Sequence, residues 1–190
     1  MIGFDSLALR QYISYNRIKW FKMKSKIDFD KIQEYLDTCN DQTKVYLGCD
    51  SERVLSHGKF YADYTLALVI HINGKNGCKL FSNTIRELDY DDRKKPYTRL
   101  MNEVYKVAEL YKQTLEAIGD REIEVHLDIN SSDKHFSNNV VSQAIGYIKG
   151  VCNVDPVIKP LAWAASCAAD RAKSIAWHFL NARVYSVTWA

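Results

Sequence analysis

The segment Lys44–Asp50, KVYLGCD, changes character at every residue. Val45, Leu47 and Cys49 fall on one side, and Tyr46, Gly48 and Asp50 on the other. A period of two is the signature of a strand with one buried face, and it forbids a helix here. Two more strand patterns follow before any helical one. Phe60–Ile72 is dense in β-branched and aromatic residues, and Lys79–Leu88 continues after a loop marked by Asn73-Gly74 and Asn76-Gly77. Ser56–Lys59, with Gly58, reads as the turn between the first two. Three strands in succession make an antiparallel meander.

The period then changes. From about Tyr97 to Ile118, with Gly119 as its stop, the apolar residues Leu100, Val104, Val107, Ala108, Tyr111, Leu115 and Ile118 recur at helical spacing. Glu122–Ile129 alternates strictly again, with Glu124, His126 and Asp128 opposite the apolar set. Asn138–Lys149 reads as a helix stopped by Gly150, and Pro156–Lys159 as a short fifth strand. Pro160 suits the first turn of a last helix, Leu161–Leu180. A short helix over Asp28–Thr38, capped by Asp28 or Asp30, precedes the sheet. Ala182–Thr188 is strand-like without an evident place. The order β-β-β-α-β-α-β-α implies a mixed α/β sheet with helices on both faces. The fourth strand lies beside the first if the long helix makes a right-handed crossover.

Composition removes whole classes. At 190 residues, 47% hydrophobic and 12% aromatic, the chain is neither disordered nor in need of a staple. No stretch free of charge approaches the ~20 residues of a membrane span. The five cysteines include no Cys-x-x-Cys, so a disulfide framework or zinc knuckle has little support; Cys49 and Cys167 read as small buried hydrophobes. No secretory signal pattern opens the chain, and the expected setting is the reducing cytoplasm. A net charge of +3 permits nucleic-acid binding without arguing for it. Residues 1–26 differ from the rest. Arg10, Arg17, Lys19, Lys22, Lys24 and Lys26 face the single acid Asp5, with Tyr12, Tyr15, Trp20 and Phe21 interleaved. Such a segment suits either an amphipathic arm packed on the body or a surface that stacks bases and pairs phosphates. Phosphate-loop, dinucleotide and nucleophile-elbow motifs are absent from the sequence.

Four acids stand out by position. Asp50 and Asp128 each end a strand on the face opposite its buried residues. If the two strands are neighbours, the carboxylates meet and need a shared proton or a divalent cation. Glu103 is the acid of the long helix able to look toward the sheet, about 60–90° from the stripe centre. Asp170 follows the uncharged run PLAWAASCAA, whose small residues let a helix approach closely; its alternative role is to pair with Arg171, Lys173 or a distant cation. Taken singly, each acid has an ordinary explanation as a turn, cap or boundary residue. Taken together, an all-oxygen set suits Mg²⁺ or Mn²⁺ and not zinc. His126 is a wall residue first, with metal ligand and proton shuttle as alternatives. Ser51 and Asn130 are candidates to orient the acids. Lys159 is a surface lysine, a phosphate grip, or a cation that neutralises the acids when no metal is bound.

VYLGCDSE (Val45–Glu52), VHLDIN (Val125–Asn130), AIGYIKG (Ala144–Gly150) and IKPLAWAASCAAD (Ile158–Asp170) resemble the YkuK family of predicted nucleases, within the ribonuclease H-like superfamily. The resemblance covers about residues 28–176 and leaves 1–26 outside. It implies a five-stranded sheet of order 3-2-1-4-5 with strand 2 antiparallel, and a carboxylate metal site on Asp50, Asp128 and Asp170, with Glu103 the weakest match. Residues 1–40 are then an arm and helix, and 41–190 the ribonuclease H-like domain. The expected activity is hydrolysis of a nucleic-acid phosphodiester with two divalent ions, leaving a 3′-hydroxyl and a 5′-phosphate. The rival expectation is a non-catalytic nucleic-acid-binding or scaffold protein that keeps the fold.

Overall fold

The structure is a computed structural model, and it describes residues 27–72, 77–91, 96–130 and 138–174. The elements are α1 (Phe29–Asp37), β1 (Lys44–Ser56), β2 (Lys59–His71), β3 (Cys78–Leu88), α2 (Tyr97–Ile118), β4 (Ile123–Asn130), α3 (Asn138–Cys152) and β5 (Val157–Lys159). A last helical segment, α4, covers residues 163–174 and opens with a π turn at Ala164–Ala168. The expected arm at 1–26 and the strand-like piece at 182–188 lie outside the described residues. No helix among those described is long and apolar enough to cross a membrane.

The five strands form one sheet of order β3-β2-β1-β4-β5. β2 runs antiparallel to both β1 and β3, while β4 is parallel to β1 and β5 to β4. This is the mixed ribonuclease H-like topology expected. The β1–β2 turn places His57 and Gly58 at φ of 49° and 75°. Two successive positive values are what a two-residue hairpin needs to match strand twist.

Strand alternation decides what each helix covers. Val45, Leu47, Cys49, Val125, Leu127 and Ile129 enter the main core with Ile32 and Leu36 of α1, Val104 and Val107 of α2, and Val140, Ala144 and Ile148 of α3. Asp28 caps α1 by accepting from the Lys31 N–H at 3.2 Å. On the opposite face, Ala67 and Val69 meet Ala168 and Ala169, so α4 closes the third layer.

Several boundaries differ from expectation, each for a local reason. Asp50 does not end its strand: β1 continues to Ser56, because residues 50–56 keep β2 as a partner after losing β4. Gly150 does not stop α3, which gains a further buried position at Cys152 and ends before Asn153 at φ 57°. Pro160 does not open a helix. Its preceding bond is cis, the chain turns, and helical structure begins at 163. The π turn also leaves Cys167 exposed, contrary to its apolar setting in the sequence. In α2, Leu115 is exposed, and Thr114 is buried instead, its hydroxyl satisfied by the Leu110 carbonyl at 2.7 Å.

Candidate active site

β1 and β4 stay in parallel register from Val45↔Ile123 to Cys49↔Leu127. One step beyond, Asp50 and Asp128 follow. Their odd-numbered neighbours are in the core, so both carboxylates stand on the α4 face at the point where the two strands part. The pairing of β4 with β5 is irregular between Leu127 and Asn130, which pairs with Lys159. Asp128 falls in that irregularity, a device that re-aims side chains. Lys159 Nζ comes within 2.7 Å of Asp128 Oδ1. The buried Oδ1 has no other hydrogen-bond partner among the described residues.

Asp50 is held by Lys173 of α4, whose Nζ lies 2.5 Å from Oδ2. The same ammonium lies 3.2 Å from Asp170 Oδ1. Asp170 is at the rim, its side chain 67% exposed. Burial pushes the Asp50 carboxyl above its ordinary value against the pull of Lys173, and the charges of Asp128 and Asp170 add to the rise. Burial pulls Lys173 down, but its bond to Asp50 and the charges of Asp50 and Asp170 more than offset it, so its pKa is raised.

Glu103 comes from the other layer. It is only 4% exposed on α2 and accepts a hydrogen bond from the Ser51 hydroxyl. That hydroxyl in turn accepts from Arg99 Nη1 at 2.7 Å, and Arg99 also donates to the Ser51 carbonyl at 2.8 Å. Burial raises the Glu103 pKa to about 8, helped by the charges of Asp50 and Asp128 and opposed by Ser51 and Arg99. Both sheet faces therefore send acids to one edge.

His126 is a wall residue with a defined task. It is buried, and its Nδ1 accepts the backbone N–H of Ala164 at 3.0 Å. The proton must then be on Nε2, which lies 3.3 Å from Glu124 Oε2. Burial holds the ring's pKa below its ordinary value, with Glu124 opposing. His126 thus caps the start of α4, wedged against Tyr46 and Trp163. Gly48 completes the seat. A Cβ there would lie 2.4 Å from the Ala165 nitrogen, so only glycine lets α4 come this near.

Arg99 and Gly48 were not among the sequence candidates for the site. Lys173 was expected only as an alternative partner of Asp170, a pair the structure shows, and its bond to Asp50 was not anticipated. Arg99 and Gly48 had no visible signal, because their partners are far away in sequence.

No three of the described His, Cys, Asp and Glu side chains form a ready cage for an ion. The donors nevertheless have the right chemistry. They are hard oxygens, and Asp128 Oδ1 and Asp50 Oδ2 are each held by a lysine ammonium that an ion would have to replace. Searches of curated proteins and of solved structures returned no match. The model of the family described as ribonuclease H-like does match, over residues 28–174. That span contains the five-stranded sheet, α4 and all four acids, and the chain belongs to this ribonuclease H-like family of YkuK-type proteins.

Proposed function

We propose that the protein is a metal-dependent nuclease that hydrolyses phosphodiester bonds of RNA or DNA. The observation that carries the reading is the adjacency of Asp50 and Asp128 on parallel strands, with Glu103 and Asp170 brought to the same edge from opposite helical layers. Asp50, Glu103, Asp128 and Asp170 would hold Mg²⁺ or Mn²⁺. Bound there, the ions supply an activated water and stabilise the leaving oxygen. The chain's own groups do the positioning. Ser51 and Arg99 fix the Glu103 carboxyl, and Asn130 ends β4 beside Lys159. Lys159, on a short strand at the site, is placed to meet a substrate phosphate once Asp128 takes another partner. His126 and Gly48 act through α4, keeping Asp170 at the mouth.

One observation favours the rival reading of a non-catalytic nucleic-acid-binding or scaffold protein. Lysines already neutralise Asp50 and Asp128, so the acids are tolerable without an ion. Cleavage assays on single- and double-stranded RNA, DNA and hybrids, in Mg²⁺ and in Mn²⁺, separate the two. The nuclease reading expects cleavage by the wild type, abolished in Asp50→Asn, whose thermal stability stays equal or higher because a buried, repelled charge is gone. Nucleic-acid binding without cleavage of any substrate transfers the assignment to the scaffold.

A further inference from the structure

A single ammonium occupies two of the four carboxylates. Lys173 Nζ lies 2.5 Å from Asp50 Oδ2 and 3.2 Å from Asp170 Oδ1, so it stands where those oxygens would turn toward an ion. A carboxylate oxygen pointed at an ammonium is not free to ligate a divalent cation. Resting on the metal-site reading above, we infer that Lys173 is the resident counter-cation of the Asp50–Asp170 pair, and that a divalent ion enters only by displacing it.

Three features support the exchange. Asp50 is largely buried beside the Asp128 carboxylate, and a charge so placed needs a cation at all times. The residue is a lysine, a point charge on a flexible stem, and not an arginine whose planar fork would clamp the carboxylate. Finally, α4 is fixed at its start by the His126–Ala164 bond and by the close approach at Gly48. Displacement of Lys173 is therefore a side-chain swing that leaves the helix in place. The released ammonium remains at the mouth of the site, where it can pair with a phosphate oxygen of the substrate. Lys173 is in this account a positioning residue that bridges Asp50 and Asp170 and balances their charge until the ion arrives.

The test is calorimetric titration of Mn²⁺ into the metal-free protein. Lys173→Met should bind Mn²⁺ about tenfold more tightly than the wild type, since the competitor is gone. Lys173→Arg should bind no better than the wild type. Arg171→Met removes an exposed charge from the same helix and should change affinity by less than about twofold, which separates direct competition from general charge repulsion. Without an ion, Lys173→Met should melt below the wild type, and added Mn²⁺ should raise its melting temperature more. If the Met variant does not fold, Lys173→Gln, which keeps a polar head without the charge, takes its place with the same expectation. Equal or weaker Mn²⁺ binding by the variant than by the wild type overturns the inference and leaves the metal site standing. Absence of Mn²⁺ binding by every protein, wild type included, overturns the metal site and the inference with it.

Discussion

Glu103 shows how one side chain can be both well bonded and unfavourably charged. Its hydrogen bond from Ser51 and the nearby Arg99 favour the carboxylate, yet burial beside Asp50 and Asp128 wins and the pKa rises to about 8. A carboxyl raised above its unfolded value binds its proton more tightly when folded. Its contribution is full below about pH 4.5 and is lost as pH climbs through about 8. Each unit of difference corresponds to about 1.4 kcal/mol, so the metal-free protein should lose on the order of 5 kcal/mol across this window. His126 acts in the opposite direction. Its depressed pKa contributes stability above its ordinary 6.5, lost as pH falls below that value. The two slopes oppose each other below 6.5, and above it His126 no longer offsets Glu103. Denaturant unfolding at pH 6.5 and 9 should show the alkaline loss in the wild type, and Glu103→Gln should flatten it. An unchanged alkaline slope in that variant would assign the loss to another group.

Among the elements, the contact between β1 and α4 matters most for the site. Gly48 lets the π turn press on the strand, and that contact sets where Asp170 and Lys173 end up. A Cβ at Gly48 would meet backbone atoms of Ala164 and Ala165 at 2.4–2.5 Å, which no side-chain rotation relieves. Gly48→Ala should cost about 1–3 kcal/mol or more, read from the urea midpoint. A variant as stable as the wild type would mean that α4 is not seated on β1. Strand β1 also shows what was readable in advance. Its first seven residues carry a clean period of two because they face β4 and the core. Residues 51–56 lie beyond β4, and there the buried Ser51 and half-buried Arg53 break the pattern that marks a strand. The extent of the long helix was legible because apolar positions recur along it at helical spacing and Gly119 stops it at φ 63°, although Leu115 in the expected stripe is exposed. The π turn was not, since an extra residue in one turn leaves no mark in a run of alanines.

For the molecule as a whole, sequence order reached further than side-chain pairing. Three strands, a long helix and a fourth alternating strand admit few arrangements, and the resemblance narrowed these to the order 3-2-1-4-5 that the sheet adopts. The two strand acids follow from that order, because parallel neighbours in register bring equivalent positions side by side. The lysines were legible only in part: Lys159 as a cation near the acids and Lys173 as a partner of Asp170, but not the bond from Lys173 to Asp50. Lys173 and Asp50 are 123 residues apart in the chain and meet only when the third layer closes. Charge balance at the site is thus a property of the tertiary fold, whereas Asp50 and Asp128 are written into the strands. The central claim, that this edge is a divalent-ion site, is tested most directly by anomalous diffraction from crystals soaked in Mn²⁺. The account predicts a manganese peak bonded to carboxylate oxygens of Asp50 and Asp128, with Lys173 Nζ moved off Asp50. A map with no peak at that edge, and both lysines still on their carboxylates, would contradict it.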